Sequence, residues 1–144
     1  MDLHPYDGKE RRFRYDDATR DDGRMLVANF LRLPSAPRDA VFDMRFYSGG
    51  MGIVDHVAIA FAAERDEAAR IAESLGFVGA DEIDVSLLDG DGDLAQFIAE
   101  HRRGFQPDYA DGDPIWFEDG SDDIHWSVLW HAHGMLAYAA YDQG

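Results

Sequence analysis

The sequence predicts an α+β fold: a mixed or mainly antiparallel sheet of five to six strands, two or three helices packed on one face, and a C-terminal aromatic β-hairpin. Three observations lead there. Segments such as Val41 to Tyr47 and Ile53 to Phe61 alternate apolar and polar residues between Gly, Pro and Asp boundaries, as half-buried strands do. Thr19 to Arg32 and Glu64 to Leu75 instead repeat apolar residues every three to four positions, the period of an amphipathic helix. The chain has 144 residues, 46% hydrophobic, with nine Phe, six Tyr and three Trp, which supplies one core of ordinary size.

Residues 1–18 read as a polar arm or edge strand carrying Lys9, Arg11, Arg12 and Arg14, and residues 19–144 as one domain. Thr19 is placed to N-cap the first helix, in which Leu26, Phe30 and Leu33 recur at i, i+4 and i+7. Gly23 weakens its first turn, and Pro34 and Pro37 end it. Val41 to Tyr47 and Ile53 to Phe61 form a hairpin across Ser48-Gly49-Gly50-Met51-Gly52. The second helix turns Ala68, Ile71, Ala72 and Leu75 inward, and Gly76-Phe77 is a left-handed stop whose Phe packs back on the last turn. Glu82 to Leu88, Leu94 to Arg103 and Gly104-Phe105 repeat this strand, helix and stop, suggesting a βαβα core on one sheet. The remainder is strand: Ile115 to Glu118, Ile124 to Ala132 and Met135 to Tyr141, the last two joined by His133-Gly134. That turn sets Ala132 opposite Met135 and Trp126 opposite Tyr141, with Trp126, Val128 and Trp130 on one face. They form either the heaviest wall of the core or an outer surface through which a homodimer would form.

The net charge is −16, from 29 acids against 13 bases, and it is unevenly distributed. Residues 78–123 hold Asp81, Glu82, Asp84, Asp89, Asp91, Asp93, Glu100, Asp108, Asp111, Asp113, Glu118, Asp119, Asp122 and Asp123 against Arg102 and Arg103, a net −12. Like charges so concentrated repel in the compact state. Solvated Asp-Gly turns, adaptation to salt and a functional acidic face are three ways to account for them, and the near-balanced N-terminal half argues against salt adaptation. The overall sign argues against direct binding of nucleic acid or an anionic membrane and for a basic protein partner. Cysteine is absent, which excludes disulfides, thiolate zinc sites and a thiol nucleophile. With no apolar leader at Met1 to Glu10 and no long apolar run, a soluble cytoplasmic protein is expected.

Other motifs point less far. Asp89, Asp91, Asp93 and Glu100 occupy the first, third, fifth and twelfth positions of a calcium loop. The sixth position is Leu94 rather than glycine, so Asp91 or Asp93 reads better as a helix cap. His125, His131 and His133 share a strand face, and with Asp142 or Asp55-His56 they make a candidate metal centre for a small metal-dependent enzyme or metal-binding protein. Ser127 lacks a nucleophile elbow, and Gly49 to Gly52 opens no helix, so neither acyl transfer nor phosphate binding is expected. The leading expectation is a small acidic protein without cofactor that covers a basic surface, as an immunity protein or a nucleic-acid mimic does. Its acids come from Asp81 to Asp93 and from Asp108 to Asp123, and its anchors from Trp116, Trp126 or Trp130.

Over residues 54–119, a strand, a helix ending Leu75-Gly76-Phe77, a second helix, Tyr109, Asp111-Gly112 and Phe117-Glu118-Asp119 follow in an order that resembles the acidic protein regulators of ribonuclease E. Ala110 interrupts the Tyr-Asp-Gly-Trp of that group, and the resemblance assigns no residue a role.

Overall fold

The structure, a computed structural model, describes residues 10–47, 54–79, 114–119, 125–132 and 134–143. Along the chain these form β1 (Glu10–Arg14), α1 (Arg20–Leu31), β2 (Val41–Tyr47), β3 (Val54–Ala62), α2 (Arg65–Leu75), β4 (Val78–Gly79), β5 (Ile115–Phe117), β6 (His125–Ala132) and β7 (Met135–Gln143). The strands make one seven-stranded sheet in the order β1-β2-β3-β7-β6-β5-β4, and every neighbouring pair is antiparallel.

The sheet has seven strands where five to six are expected, because the N-terminal arm contributes β1 and two residues after α2 contribute β4. Phe13 explains the first addition: it alternates inward between Arg12 and Arg14, pairs with Met44 and is buried, so the polar segment still has one apolar tooth. The hairpin β2-β3 forms as expected, and β6 and β7 pair with Ala132 opposite Met135 and Trp126 opposite Tyr141. The repeated unit, Glu82 to Leu88 and Leu94 to Gly104, lies outside the described residues. The first unit does not return beside its own strand, since β7, β6 and β5 separate β3 from β4.

Side-chain alternation divides the sheet into two apolar faces. Phe42, Met44, Ile59, Phe61, Leu129, Leu136 and Tyr138 point to one face and pack against Val27 and Leu31 of α1 and Ala68, Ile71 and Ala72 of α2. Both described helices therefore lie on that face. The other face carries Val41, Ala60, Phe117, Val128, Trp130, Ala137 and Ala139, all buried. Of the expected aromatic wall, Val128 and Trp130 are core. Strands β6 and β7 lie inside the sheet with a neighbour on each side, so this hairpin offers no open edge for a second copy.

The two helices end alike. Gly76 takes a left-handed φ of 74°, and the Phe77 amide donates to the Ala72 carbonyl at 3.0 Å, as the Gly-Phe pair predicts. At the end of α1 the left-handed residue is Arg32, φ 53°, and the Leu33 amide donates to Ala28 at 2.9 Å before either proline is reached. Thr19 occupies the N-cap position of α1, but its hydroxyl makes no cap bond. Instead the hydroxyl accepts the Arg14 amide at 2.8 Å and donates to Asp17. The Thr19 hydroxyl, and then the Thr19 amide at 2.8 Å, hold the Asp17 carboxyl below its ordinary range.

Candidate functional site

The acidic residues are attached to the sheet at one edge. Gly79, at the end of β4, is in register with Trp116 of β5, and Val78 with Phe117. Gly79 and Pro114 flank segment 80–113, so both ends of that segment adjoin this edge of the described sheet. Asp81, Glu82, Asp84, Asp89, Asp91, Asp93, Asp108, Asp111 and Asp113 lie in that segment, outside the described residues, as do Asp122 and Asp123 in the next connection. Glu118 and Asp119, which follow β5 directly, are described and exposed.

The opposite edge has a different electrostatic character. Residues 10–47 carry eight arginines against seven acids, a net +1, compared with −12 for 78–123. Arg12 pairs across the β1-β2 ladder with Asp43 through two bonds, at 3.0 and 2.6 Å, and Arg45 is exposed beside them. Six strand spacings of ~4.8 Å put the two edges roughly 29 Å apart, between three and four Debye lengths at physiological salt, ~8 Å each.

Aromatic and apolar groups accompany the acids. Trp116 is half-buried against the helix-bearing face, and Gly79, its partner in register, presents no side chain beside the indole. Val78 is 44% exposed, one of two large apolar side chains so exposed among the described residues. Trp130 is fully buried in the second cluster, which assigns it to the core and removes it as a surface anchor. Trp126 lies on β6 opposite Tyr141.

On β7, the central strand of the sheet, lies a polar group that sequence reasoning missed. Burial pushes the Tyr138 phenol up to about 12, against a hydrogen bond from Ser127 and with a small addition from the Glu118 carboxylate. Tyr138 also packs beside Phe77, ring centroids 6.4 Å apart, and Phe30 at 6.0 Å. The phenol stays protonated at neutral pH. The two-residue turn already implied Ser127 beside it, since pairing Ala132 with Met135 sets Ser127 opposite Ala140.

The histidines divide. His125 is opposite Asp142 in the β6-β7 ladder, as expected, and His133 lies outside the described residues. His131 is buried on the helix-bearing face, where its Nε2 and the Ala63 carbonyl are 2.7 Å apart, tying β6 to the entrance of α2; its Nδ1 is buried without a partner. Among the described residues no three His, Asp or Glu side chains gather as a metal centre requires. Also among them, no helix is long and apolar enough to cross a membrane. Comparison of the chain with protein-family models, curated proteins and solved structures finds no match.

Proposed function

We propose that the protein is a small acidic binding protein that inhibits or protects by covering a basic nucleic-acid-binding or catalytic surface of a partner, in the manner of an immunity protein or a nucleic-acid-mimicking inhibitor of a nuclease or defence complex. The observation that carries this reading is the partition of charge. Segment 80–113, with a net charge of −8, begins and ends beside paired residues at one sheet edge, while residues 10–47 toward the far edge carry a net +1. Spaced carboxylates accelerate encounter with a basic surface and set register on it, and a partly exposed indole such as Trp116 supplies contact area.

The test is association kinetics with the basic protein recovered from the source cells, measured at several salt concentrations. Neutralising Asp108, Asp111 and Asp113 together to Asn should slow association at least several-fold and flatten its salt dependence, leaving folding intact or slightly improved. Neutralising Asp2, Asp7 and Asp16 removes equal charge from the balanced region and should do much less. Equal effects of the two triple variants would reduce the reading to net charge alone. No effect of either would reject it.

A further inference from the structure

We propose that the cleft between the first turns of α1 and the start of β2 binds a small organic oxyanion, a phosphate or carboxylate whose remaining atoms carry hydroxyl or amine donors. The cleft has a volume of about 480 Å³, within the size range of small-ligand sites, and its walls include Tyr15, Arg20, Arg24, Arg38, Asp21 and Asp39. Three of the chain's twelve arginines thus converge on one concave surface of a protein whose net charge is −16.

Arg24 is the positioned member. Its Nη1 donates to the Pro37 carbonyl at 3.1 Å and its Nη2 to the Ala36 carbonyl at 2.9 Å, fixing the guanidinium plane without neutralising it. Two of its five N–H groups are used this way, and three remain for an acceptor. Among the described residues neither Arg24 nor Arg38 forms an ion pair. Arg20 has only a loose contact with Asp21, 3.9 Å, in which both side chains are largely exposed. A guanidinium fork matches two oxygens of one phosphate or carboxylate, which a lysine ammonium does not. Two arginines beside one held in place form a receptor for such a group.

The two aspartates on the wall select among oxyanions. Three arginines and two aspartates leave a formal +1, enough for a single anionic group but unfavourable for a polyanion. Asp39 already accepts the Ala62 amide at 2.7 Å, which orients its carboxylate, and a ligand hydroxyl or amine suits an oriented carboxylate. Tyr15, braced edge-on against Phe42 with ring centroids 6.4 Å apart, closes one side with an aromatic surface. This inference concerns the balanced end of the molecule and does not depend on the acidic edge.

The experiment is amide NMR titration of the full chain at constant ionic strength with three probes: inorganic phosphate, ribose 5-phosphate and glycerate. The expected result is saturable millimolar or tighter binding of ribose 5-phosphate or glycerate, with shifts concentrated at Arg20, Arg24, Arg38 and Asp39, and weaker binding of inorganic phosphate. Which organic probe binds better assigns the oxyanion as phosphate or carboxylate. Arg38→Gln and Arg20→Gln, both at exposed positions, should each weaken binding about tenfold, the loss of one charge-assisted hydrogen bond. Arg12→Gln on β1 should leave it unchanged. Arg38→Lys, which keeps the charge and the fold but loses the fork, should fall in between. Absence of saturable binding by all three probes, unchanged affinity in Arg20→Gln and Arg38→Gln, or an equal loss in Arg12→Gln would each overturn the proposal.

Discussion

Gly23 appears in the sequence as a defect in the first turn of α1, and the structure gives it a purpose that a double-mutant cycle can measure. It is buried where α1 crosses β2, and a Cβ added there would overlap the Phe42 ring, 2.7 Å from Cζ and 3.2 Å from Cδ2. Optimal carbon contacts are ~3.5–4.0 Å, so helix or ring must move by about 1 Å. Phe42 is fully buried and flanked by Tyr15, which leaves the ring little room to turn. Overpacking of this kind costs ~1–3 kcal/mol, and the better helix propensity of Ala returns ~0.8–1.0. Gly23→Ala should therefore destabilise by about 1 kcal/mol, or up to about 2. Phe42→Leu removes the overlapping ring atoms, and in that background Gly23→Ala should stabilise by up to about 1 kcal/mol, a change of sign with a coupling of ~1–3 kcal/mol. Urea denaturation followed by tryptophan fluorescence, at unchanged slope, gives all four corners of the cycle. A stabilising Gly23→Ala in the native background, or the same effect in both, would refute the close-packing argument.

Tyr138 makes stability sensitive to alkali. Its folded value of about 12 lies above the ordinary 10.0, so its contribution is complete below about pH 10 and is lost as pH rises through about 12. About 2–3 kcal/mol should disappear across that window, and Tyr138→Phe should remove this component from the pH profile of the denaturation midpoint. Gly76→Ala should cost ~1–2 kcal/mol in chemical denaturation through its backbone alone, since a Cβ there meets nothing within 4 Å. A cost near zero would show that the left-handed turn ending α2 is not required.

The candidate site was legible in the sequence only as chemistry. The concentration of fourteen acids between residues 78 and 123 is visible in the letters, but its attachment to one edge depends on Gly79 pairing with Trp116, thirty-seven positions later. No local pattern encodes a pairing of that range. The tryptophans show the same division: alternation placed Val128 and Trp130 on a common face, and only the presence of a second apolar cluster decided that this face is buried. The arginines of the cleft lie at positions 20, 24 and 38, and no recognised spacing unites them until the loop after α1 brings Arg38 back to its first turns.

By itself the sequence determined what depends on near neighbours: the strand limits of β2, the inward face of α2, the left-handed stop at Gly76, and the β6-β7 register set by a two-residue turn. These follow from side-chain period and from the steric freedom of glycine, both local properties. Tertiary structure decided the rest. A left-handed conformation at Arg32, which the sequence does not signal, is held by the Leu33 bond to Ala28 and by an Arg32 bond to the Ser74 carbonyl at 3.1 Å, from the end of the other helix. Polar β1 joins the sheet because a single buried Phe13 and the Arg12-Asp43 pair reward it. Such gains exist only once distant segments have met, so they leave no period or motif in the chain.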